Sequence, residues 1–225
     1  SKPFLTIDGE ASFLEETLKR FLLSYQAKDI VVVTNASSYF LVRKECLRLC
    51  PKGEIAILVE PVSKSTAPAL ALALSFLEKE KGLGLNEPIV LSPSDAHIGS
   101  NEAFHKALQE AVKGALEGFF VLLGAVPLRA ERGYGYVELG EEKEGLYSIR
   151  RFVEKPSKQV AEVLAFDRLS LWNTGHLITT ASTFWQEASL HHPPLCSLRE
   201  VDLEEVEQVL EGLEEISVDY ALLEK

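Results

Sequence analysis

The chain of 225 residues contains no methionine, not even at position 1, and only three cysteines. The lack of methionine is expected of an internal piece of a longer protein, or of a sequence from which methionine positions were lost. Three cysteines are too few for a disulfide framework, which favours a reducing compartment and predicts a cytoplasmic protein. Cys46 and Cys50 lie four residues apart on a predicted helix, where two small buried side chains are a simpler interpretation than half of a metal site.

Long apolar runs and an excess of positive charge are also lacking. The longest apolar runs, such as 119–126, are strand-sized and far short of the roughly 20 residues that a bilayer-spanning helix needs, and 1–10 does not have the layout of a secretory signal. The chain has 23 Lys and Arg against 34 Asp and Glu, a formal net charge of −11. Because sequence-independent binding to nucleic acid needs a cationic face, a nucleic acid is not an expected partner. The short apolar runs likewise make a membrane an unexpected partner.

What the sequence does contain is an alternation of helical and strand patterns. Apolar residues recur at helical spacing over 12–23, and the β-branched run 30–33 then reads as a buried strand. Because the alternation continues to residue 126, we expect an α/β fold: a doubly wound, mostly parallel, Rossmann-like sheet with helices on both faces. After Pro127, the strand patterns 134–139 and 149–153, joined by an acidic turn, predict a small antiparallel addition. A strand or turn is predicted over 171–178, and a last helix over 203–213. No linker divides the chain, so 1–225 is predicted to be one domain with halves of about 1–126 and 127–225.

Ligands of open parallel sheets bind beyond the carboxyl ends of the strands, so the loops there are the first candidates for a binding site. The run Glu60–Ala69 follows a predicted strand. Ser65 or Thr66 suits the N-cap of the next helix, and Pro68 suits its first turn. Free backbone N–H groups at such a helix start would bind a phosphate or the acceptor atoms of a base. A well-capped helix without a ligand is the alternative interpretation.

Three further loops carry candidate binding groups. Asp95, after the next predicted strand, suits Mg²⁺ that bridges phosphates, or it caps the following turn. The alternating glycines and tyrosines of 132–136 would let the backbone approach a ligand closely, or they form a β-bulge. The runs 153–156 and 171–175 offer Glu, Lys and Asn side chains for sugar hydroxyls and a phosphate. Taken singly, each of these groups could be an ordinary solvated side chain.

Together, in this order, the loops resemble those of the sugar-nucleotide pyrophosphorylases. The T-A-P-A, L-W-N-S/T-G and S-I/V-D-Y-A runs are most similar to those of the family members that act on mannose-1-phosphate, as distinct from the glucose and N-acetylglucosamine enzymes. The family runs E-P-x-x-x-x-T-A-P-A, P-A/S-D-H-x-I, G-Y-G-Y-I, F-x-E-K-P, L-W-N-S-G and S-I-D-Y-A-x-x-E-K match Glu60–Ala69, Pro93–Ile98, Gly133–Val137, Phe152–Pro156, Leu171–Gly175 and Ser217–Lys225.

The resemblance implies an enzyme that converts GTP and mannose-1-phosphate into GDP-mannose and pyrophosphate with Mg²⁺ as cofactor. It implies a nucleotide-binding first half, a sugar-binding second half, and Asp95 as the metal ligand. Lys2, in a run similar to the family's P-K-Q-F-L, and Lys155 would face the phosphates, so the implied catalytic residues are Lys2, Asp95 and Lys155. The implied nucleotide-binding residues are Glu60, Thr66, Ala67, Pro68 and Ala69, and the implied sugar-binding residues are Gly135, Glu154, Asn173 and Asp219.

Such a transfer needs alignment and charge neutralisation more than covalent catalysis. Because the net charge of −11 repels two anionic substrates, we expect a local cluster of cations to reverse the sign of the potential inside the cleft. The predicted cluster comprises Lys2, Lys64, Arg132 and Lys155.

The chain also departs from the family pattern. The family's G-G-x-G-x-R-x-x-P loop upstream of the Lys2 position and its W-S-D-x-G segment, which supplies a second metal carboxylate, are both absent from this sequence. The resemblance therefore implies a domain that is truncated at both ends. Ala96 replaces the usual His after the metal-binding Asp, and His176 stands where the family often has Met. A non-catalytic sugar-nucleotide-binding regulatory subunit, or a pyrophosphorylase for another hexose-1-phosphate, therefore stays open. A homodimer and a fused C-terminal isomerase domain are further possibilities that the resemblance raises.

Overall fold

The computed structural model describes residues 2–6, 9–202 and 204–225. Ser1, which opens the run that contains Lys2, and Leu203, the first residue of the last predicted helix, lie outside the described residues. The described chain begins with a short 3-10 helix at Lys2–Phe4. A layered α/β arrangement follows, in which β7, near the end of the chain, joins the strands of both halves.

The first two strands and helices form a small layer of their own. Its two strands pair in parallel over their full length, and the helices cover them with a core that includes Leu14, Leu18, Val42 and Cys46. The first helix begins where the side chain of Ser12 accepts the N–H of Glu15, as a helix N-cap does. The elements are α1 (Phe13–Leu22), β1 (Val31–Asn35), α2 (Tyr39–Leu49) and β2 (Ala56–Glu60).

The centre of the molecule is organised by one long strand, β7 (Ser170–Thr180), which is antiparallel to its neighbours. Ile178 pairs with Val90 on one edge and with Val121 on the other. This register places β7 between the third and fourth strands of the chain. The elements that precede it are α3 (Thr66–Lys81), β3 (Pro88–Leu91), α4 (Asn101–Leu116) and β4 (Val121–Ala125).

The hairpin of β5 (Tyr136–Lys143) and β6 (Leu146–Val153) extends the sheet. Its two-residue turn, Glu144-Gly145, has φ angles of 54° and 84°, and two positive φ angles are typical of the tight turns that join antiparallel strands. Tyr136 pairs with Trp172 of β7, so the hairpin continues along the edge of β7 that also holds β3. Helix α5 (Lys158–Phe166) lies between β6 and β7 in the chain.

The C-terminal segment folds back over the start of α3. Its elements pack with α3 into the largest hydrophobic cluster of the described residues, in which Leu74, Phe184 and Leu210 are fully buried. This packing brings the last residues of the chain to the carboxyl end of β3. The elements are α6 (Ala181–His191), a 3-10 helix at Pro193–Cys196, α7 (Ser197–Glu200), α8 (Val206–Gly212) and a π-helical turn at Asp219–Leu223.

The α/β class with a small antiparallel addition is confirmed. The sequence pattern did not show the position of β7, which was predicted only as a short strand or turn over 171–178. Its side chains at 176–180 are all buried, so the strand lacks the polar alternation that identifies a strand with one solvent face. The parallel pairing predicted for the first half is observed for β1 and β2, whereas β3 and β4 pair with β7.

We expect Leu74→Ala to lower the free energy of unfolding by about 2–5 kcal/mol, because it leaves a cavity in a close-packed core. Leu74 is fully buried, whereas the side chain of Leu190 on α6 is 70% exposed. Leu190→Ala is therefore the matched control, with an expected loss below about 0.5 kcal/mol. Chemical denaturation of both variants tests this, and equal losses would contradict the described core.

Candidate active site

A cavity opens where β3 ends and α3 begins. Its volume is about 170 Å³. Thr66, Pro93, Asn173 and Asp219 line it, above a floor that includes the leucine side chains 122 and 177. Four segments far apart in the chain thus meet at one rim of the sheet, where ligands of α/β proteins bind.

The four residues predicted to bind a sugar lie together at this rim. The side-chain amide of Asn173 donates to a carboxylate oxygen of Asp219 at 2.9 Å, and its backbone N–H donates to the carbonyl of Gly135 at 2.8 Å. A Cβ atom at Gly135 would lie only 2.7 Å from Oε2 of Glu154. The absence of a side chain at Gly135 therefore leaves the space that the Glu154 carboxylate occupies.

Both carboxylates of this group are partly withdrawn from water. Burial raises the pKa of Asp219, and its hydrogen bonds, including the one from Asn173, offset part of that effect. Burial also raises the pKa of Glu154, with a further rise from the nearby charge of Asp219. Lys155 lies 3.5 Å from the Glu154 carboxylate and opposes this rise. The result is a pair of half-buried acceptors beside one ammonium group, which suits recognition of hydroxyl groups next to an anion.

Lys155 has an unusual backbone conformation, with φ of 43°, and Ser65 has φ of 70°. Both residues line a second cavity of about 360 Å³, together with Ser217 and Tyr220. Left-handed backbone is uncommon for residues with a side chain and indicates local strain held by the surroundings.

The start of α3 differs from the sequence-based expectation. Ser65 occupies the N-cap position, but its side chain makes no capping hydrogen bond. The N–H of Ala67 is not free, because it donates to the carbonyl of Ile216 at 3.2 Å. Thr66 Oγ1 instead accepts the N–H of Val218 at 2.9 Å. Of the free backbone donors predicted for this helix start, the N–H of Ala67 is therefore used by the C-terminal segment.

The implied nucleotide-binding residues differ in accessibility. Ala67 and Pro68 are buried in the core, whereas Thr66 is exposed and Ala69 is partly exposed. Glu60 ends β2, and one of its carboxylate oxygens is buried without a hydrogen-bond partner. Burial raises the pKa of this carboxyl group. From this set, Thr66 and Ala69 are accessible to a base, whereas the unsatisfied oxygen of Glu60 is buried.

Asp95 lies two residues after Pro93, beyond the wall of the smaller cavity. Its carboxylate forms an ion pair of 2.8 Å with the ammonium group of Lys2, and this contact raises the pKa of Lys2. Within the part of the chain that is described, no group of three or more His, Cys, Asp or Glu side chains could hold a metal ion. One accessible carboxylate does fit a Mg²⁺ ion that is carried by nucleotide phosphates and keeps several waters.

The predicted cluster of four cations is not assembled. Lys2 is paired with Asp95 and Lys155 with Glu154. The ammonium group of Lys64 instead donates to the carbonyl of Glu211 at 3.1 Å. Arg132 is exposed on the loop before Tyr136. The structure therefore supports two cations at the rim, each beside a carboxylate, and not the local excess of positive charge that was expected.

The cysteine interpretation agrees with the structure. Cys46 is buried in the core between α1 and α2, and burial raises the pKa of its thiol to about 11. Cys50 packs partly buried against the same core. Both residues act as small hydrophobic side chains.

One contact at the site was missed from the sequence. The N–H of Glu154 donates to the carboxylate of Glu224 at 3.1 Å, so Glu224 holds the backbone beside Glu154 and Lys155. Glu224 lies within the run 217–225 that carries the family resemblance, and its position in that run was the available signal. Within the described ranges, no helix combines the length and the apolar character that crossing a membrane requires.

Comparisons with known proteins show the family of the chain. The family model described as "Nucleotidyl transferase" matches residues 1–216. A mannose-1-phosphate guanylyltransferase of Salmonella muenchen is 37% identical over 187 residues, which cover 83% of this chain and 39% of that protein. A putative mannose-1-phosphate guanylyltransferase of Vibrio cholerae is 32% identical over 238 aligned residues, covering 99% of this chain and 50% of that protein.

Two solved structures are similar to this chain over its whole length. One from Thermus thermophilus, described as a mannose-1-phosphate geranyltransferase, has a TM-score of 0.85 and 31% identity, and the match covers all of this chain and 64% of that one. One from Helicobacter pylori, described as a mannose-6-phosphate isomerase, has a TM-score of 0.83 and 26% identity, with 100% and 89% of the two chains covered.

The chain belongs to the nucleotidyl transferase family. Within that family, the relatives described above carry the name mannose-1-phosphate guanylyltransferase. The chain spans about half the length, or less, of these relatives.

We expect Asp219→Asn to become more stable relative to the wild type as pH rises from 4 to 7. The folded pKa of Asp219 is raised above its ordinary 3.8, so the folded state holds its proton more tightly than the unfolded chain does. Wild-type stability therefore falls as pH rises through the window between 3.8 and the folded pKa. The amide lacks this dependence, and its oxygen can still accept from Asn173.

Melting temperatures measured across this pH range test the expectation. Asp202→Asn, at an aspartate on the surface of the molecule, is the control, and we expect its difference from the wild type to stay nearly constant. An equally constant difference for Asp219→Asn would show that the Asp219 carboxylate is not held in a poorly solvated site.

Proposed function

We propose that the protein containing this chain makes GDP-mannose and pyrophosphate from GTP and mannose-1-phosphate. The observation that carries this proposal is the meeting of Thr66, Asn173 and Asp219 in one cavity next to the Asp95 loop. The family and the names of the relatives favour nucleotidyl transfer to this sugar phosphate. Asn173, Asp219, Glu154 and the open space at Gly135 form the mannose site in this proposal.

In the proposed reaction, a phosphate oxygen of mannose-1-phosphate attacks the α-phosphorus of GTP. A new P–O bond forms there, the bond to the β-phosphate breaks, and pyrophosphate leaves with the electron pair. Such an in-line displacement depends on positioning and on stabilisation of the charge on the phosphoryl oxygens. Mg²⁺ would supply that charge stabilisation at Asp95. Lys2 would turn from Asp95 to phosphate oxygens, and Lys155 would contact the phosphate of the sugar.

The base would lie at the start of α3. Thr66 and Ala69 are accessible there, and Glu60 offers a buried oxygen without a partner. A carboxylate oxygen of this kind needs a donor, and guanine presents two adjacent N–H groups. Leaving that oxygen unpaired disfavours a base without donors in the same place.

The central test measures pyrophosphate release by the protein that contains this chain. GTP or ATP is paired with mannose-1-phosphate or glucose-1-phosphate, with Mg²⁺ present or removed by a chelator. We expect release with GTP, mannose-1-phosphate and Mg²⁺ together. Activity with ATP and glucose-1-phosphate but not with the mannose pair would refute the substrate assignment. Binding of GDP-mannose without any turnover would instead favour a regulatory subunit.

We expect Asp95→Asn to lower turnover about 100-fold or more, because the amide is a poor ligand for Mg²⁺ and several kcal/mol of charge stabilisation are lost. Asp29→Asn, at an exposed aspartate in the turn before β1, is the control with unchanged turnover. Retained activity in Asp95→Asn would assign Asp95 to turn capping alone.

We expect Gly135→Ala to raise the KM for mannose-1-phosphate about tenfold or more while the protein still folds. The added Cβ would displace the flexible Glu154 carboxylate, and losing a hydrogen bond to a charged group costs about 1.5–3 kcal/mol. Gly133→Ala is the matched control, since its Cβ would lie 3.6 Å from the nearest atom, Oε1 of Glu131. Equal KM values for the two variants would argue against a sugar beside Glu154.

Five expectations from the sequence stay predictions. They are Mg²⁺ as the cofactor, a single domain, a homodimer, a fused isomerase domain and a cytoplasmic location.

A further inference from the structure

The buried arginine on α1, Arg20, is a group that the proposed reaction does not use. Its residue is 3% exposed, and a guanidinium group in such a place is costly unless hydrogen bonds compensate for the lost water. Nε donates to Oδ1 of Asn101 at 3.2 Å, and an Nη atom donates to the carbonyl of Ala96 at 3.3 Å. Among the described residues, no carboxylate lies within ion-pair distance of Arg20.

One hydrogen bond of Arg20 ends on the segment that carries Asp95, and the other ends on the residue that follows this segment. This segment, 92–100, connects β3 to α4 without regular secondary structure. Ala96 directly follows Asp95, and Asn101 is the first residue of α4. Arg20 therefore holds the segment one residue after the proposed metal ligand and again where the segment ends.

The ion pairs of the segment with the N-terminal part of the chain are solvated. Lys2, which pairs with Asp95, has a side chain that is 66% exposed, and His97, 3.5 Å from Glu16, has one that is 60% exposed. Exposed ion pairs contribute little to holding a conformation. Ile98 packs, partly buried, against the core around Phe104, and the part-buried hydrogen bonds of Arg20 are the polar contacts best able to fix the position of the segment.

Arg20 also faces the strand that carries Asn173. His176 of β7 is 1% exposed, and its Nδ1 lies 2.9 Å from Oγ1 of Thr174. The hydroxyl proton of Thr174 is used in a bond of 2.7 Å to the carbonyl of Leu123. Nδ1 of His176 must then carry the ring proton, which leaves Nε2 as an acceptor.

That acceptor is buried without a partner, and so is the second Nη atom of Arg20. The two groups pack on the same ring, since the guanidinium carbon lies 5.5 Å and the imidazole centroid 5.2 Å from the centroid of Phe104. The structure forms no direct hydrogen bond between these two atoms. One water between a buried donor and a buried acceptor would satisfy both. Arg20 would then connect the Asp95 segment with the β7 segment that positions Asn173.

We propose that Arg20 is a positioning residue, which holds the Asp95 carboxylate at a fixed place relative to the sugar site. This inference rests on the proposed function, in which Asp95 binds the metal of the nucleotide. The planar guanidinium group presents its donors in fixed directions, to Asn101 and to Ala96 at once. Lysine keeps the positive charge but has a single nitrogen, so it cannot replace that geometry.

The test compares Arg20→Lys with the wild type by titrating Mn²⁺ in the presence of GTP and following free Mn²⁺ by electron paramagnetic resonance. We expect Mn²⁺ to bind the variant about tenfold more weakly, and the Mg²⁺ concentration for half-maximal turnover to rise by a similar factor. Backbone hydrogen exchange over 94–101 should also become faster in the protein without ligand. Arg48→Lys, on a half-exposed arginine of α2 paired with Glu15 and Glu45, is the control without these effects.

A second variant keeps the inference testable where Arg20→Lys does not fold. Asn101→Ala removes one acceptor of Arg20 and leaves its charge, and we expect a smaller change in the same direction. A folded variant with unchanged Mn²⁺ affinity and unchanged exchange over 94–101 overturns the inference, as does a fall in turnover without any change in metal dependence. If the wild-type protein releases no pyrophosphate, the proposed function fails and the inference fails with it. If the wild type is active and the variants bind Mn²⁺ normally, only the inference fails.

Discussion

The pairing of β7 with three other strands is the constraint on which the site depends. β7 hydrogen-bonds to β4 along one edge and to β3 and β5 in succession along the other. Its register places Asn173 next to the carbonyl of Gly135 and opposite Gly124. The space for this approach depends on Gly124, where a Cβ would lie 2.6 Å from the side chain of Leu171. A shift of one residue would turn Asn173 to the other face of the sheet.

Around that register, the molecule concentrates opposing charges in a small volume. The charge of Asp219 disfavours ionisation of Glu154, and Lys155 relieves part of the cost for both carboxylates. Lys2 and Asp95 form a second, more exposed pair. Each cation at the rim is thus already matched by a carboxylate before any ligand binds. In the proposed reaction, anionic substrates would have to exchange these internal pairs for contacts of their own, which would favour ligands that bring hydroxyls and a metal ion together.

The sequence predicted most of the helices and strands, because apolar spacing identifies an amphipathic helix or a buried strand locally. The meeting of Thr66, Asn173 and Asp219 was also predictable, since the family resemblance of the ordered motifs implied one shared site for all three. The direction of the long cationic side chains could not be predicted from the sequence. Lys64 is held by a carbonyl of Glu211, and the N–H of Ala67 by Ile216, and these partners lie far along the chain. The role of Arg20 could not be predicted from its place in an amphipathic helix, because its partners Asn101 and Ala96 lie far along the chain.

At Lys155, the left-handed backbone opposes selection for stability to selection for activity. Such a conformation costs a residue with a side chain about 1–2 kcal/mol, and glycine would remove that cost. Glycine would also remove the ammonium group that lies beside Glu154. Directed evolution for heat resistance would therefore enrich glycine at this position, whereas evolution for turnover would keep lysine, so the two screens should diverge at one codon.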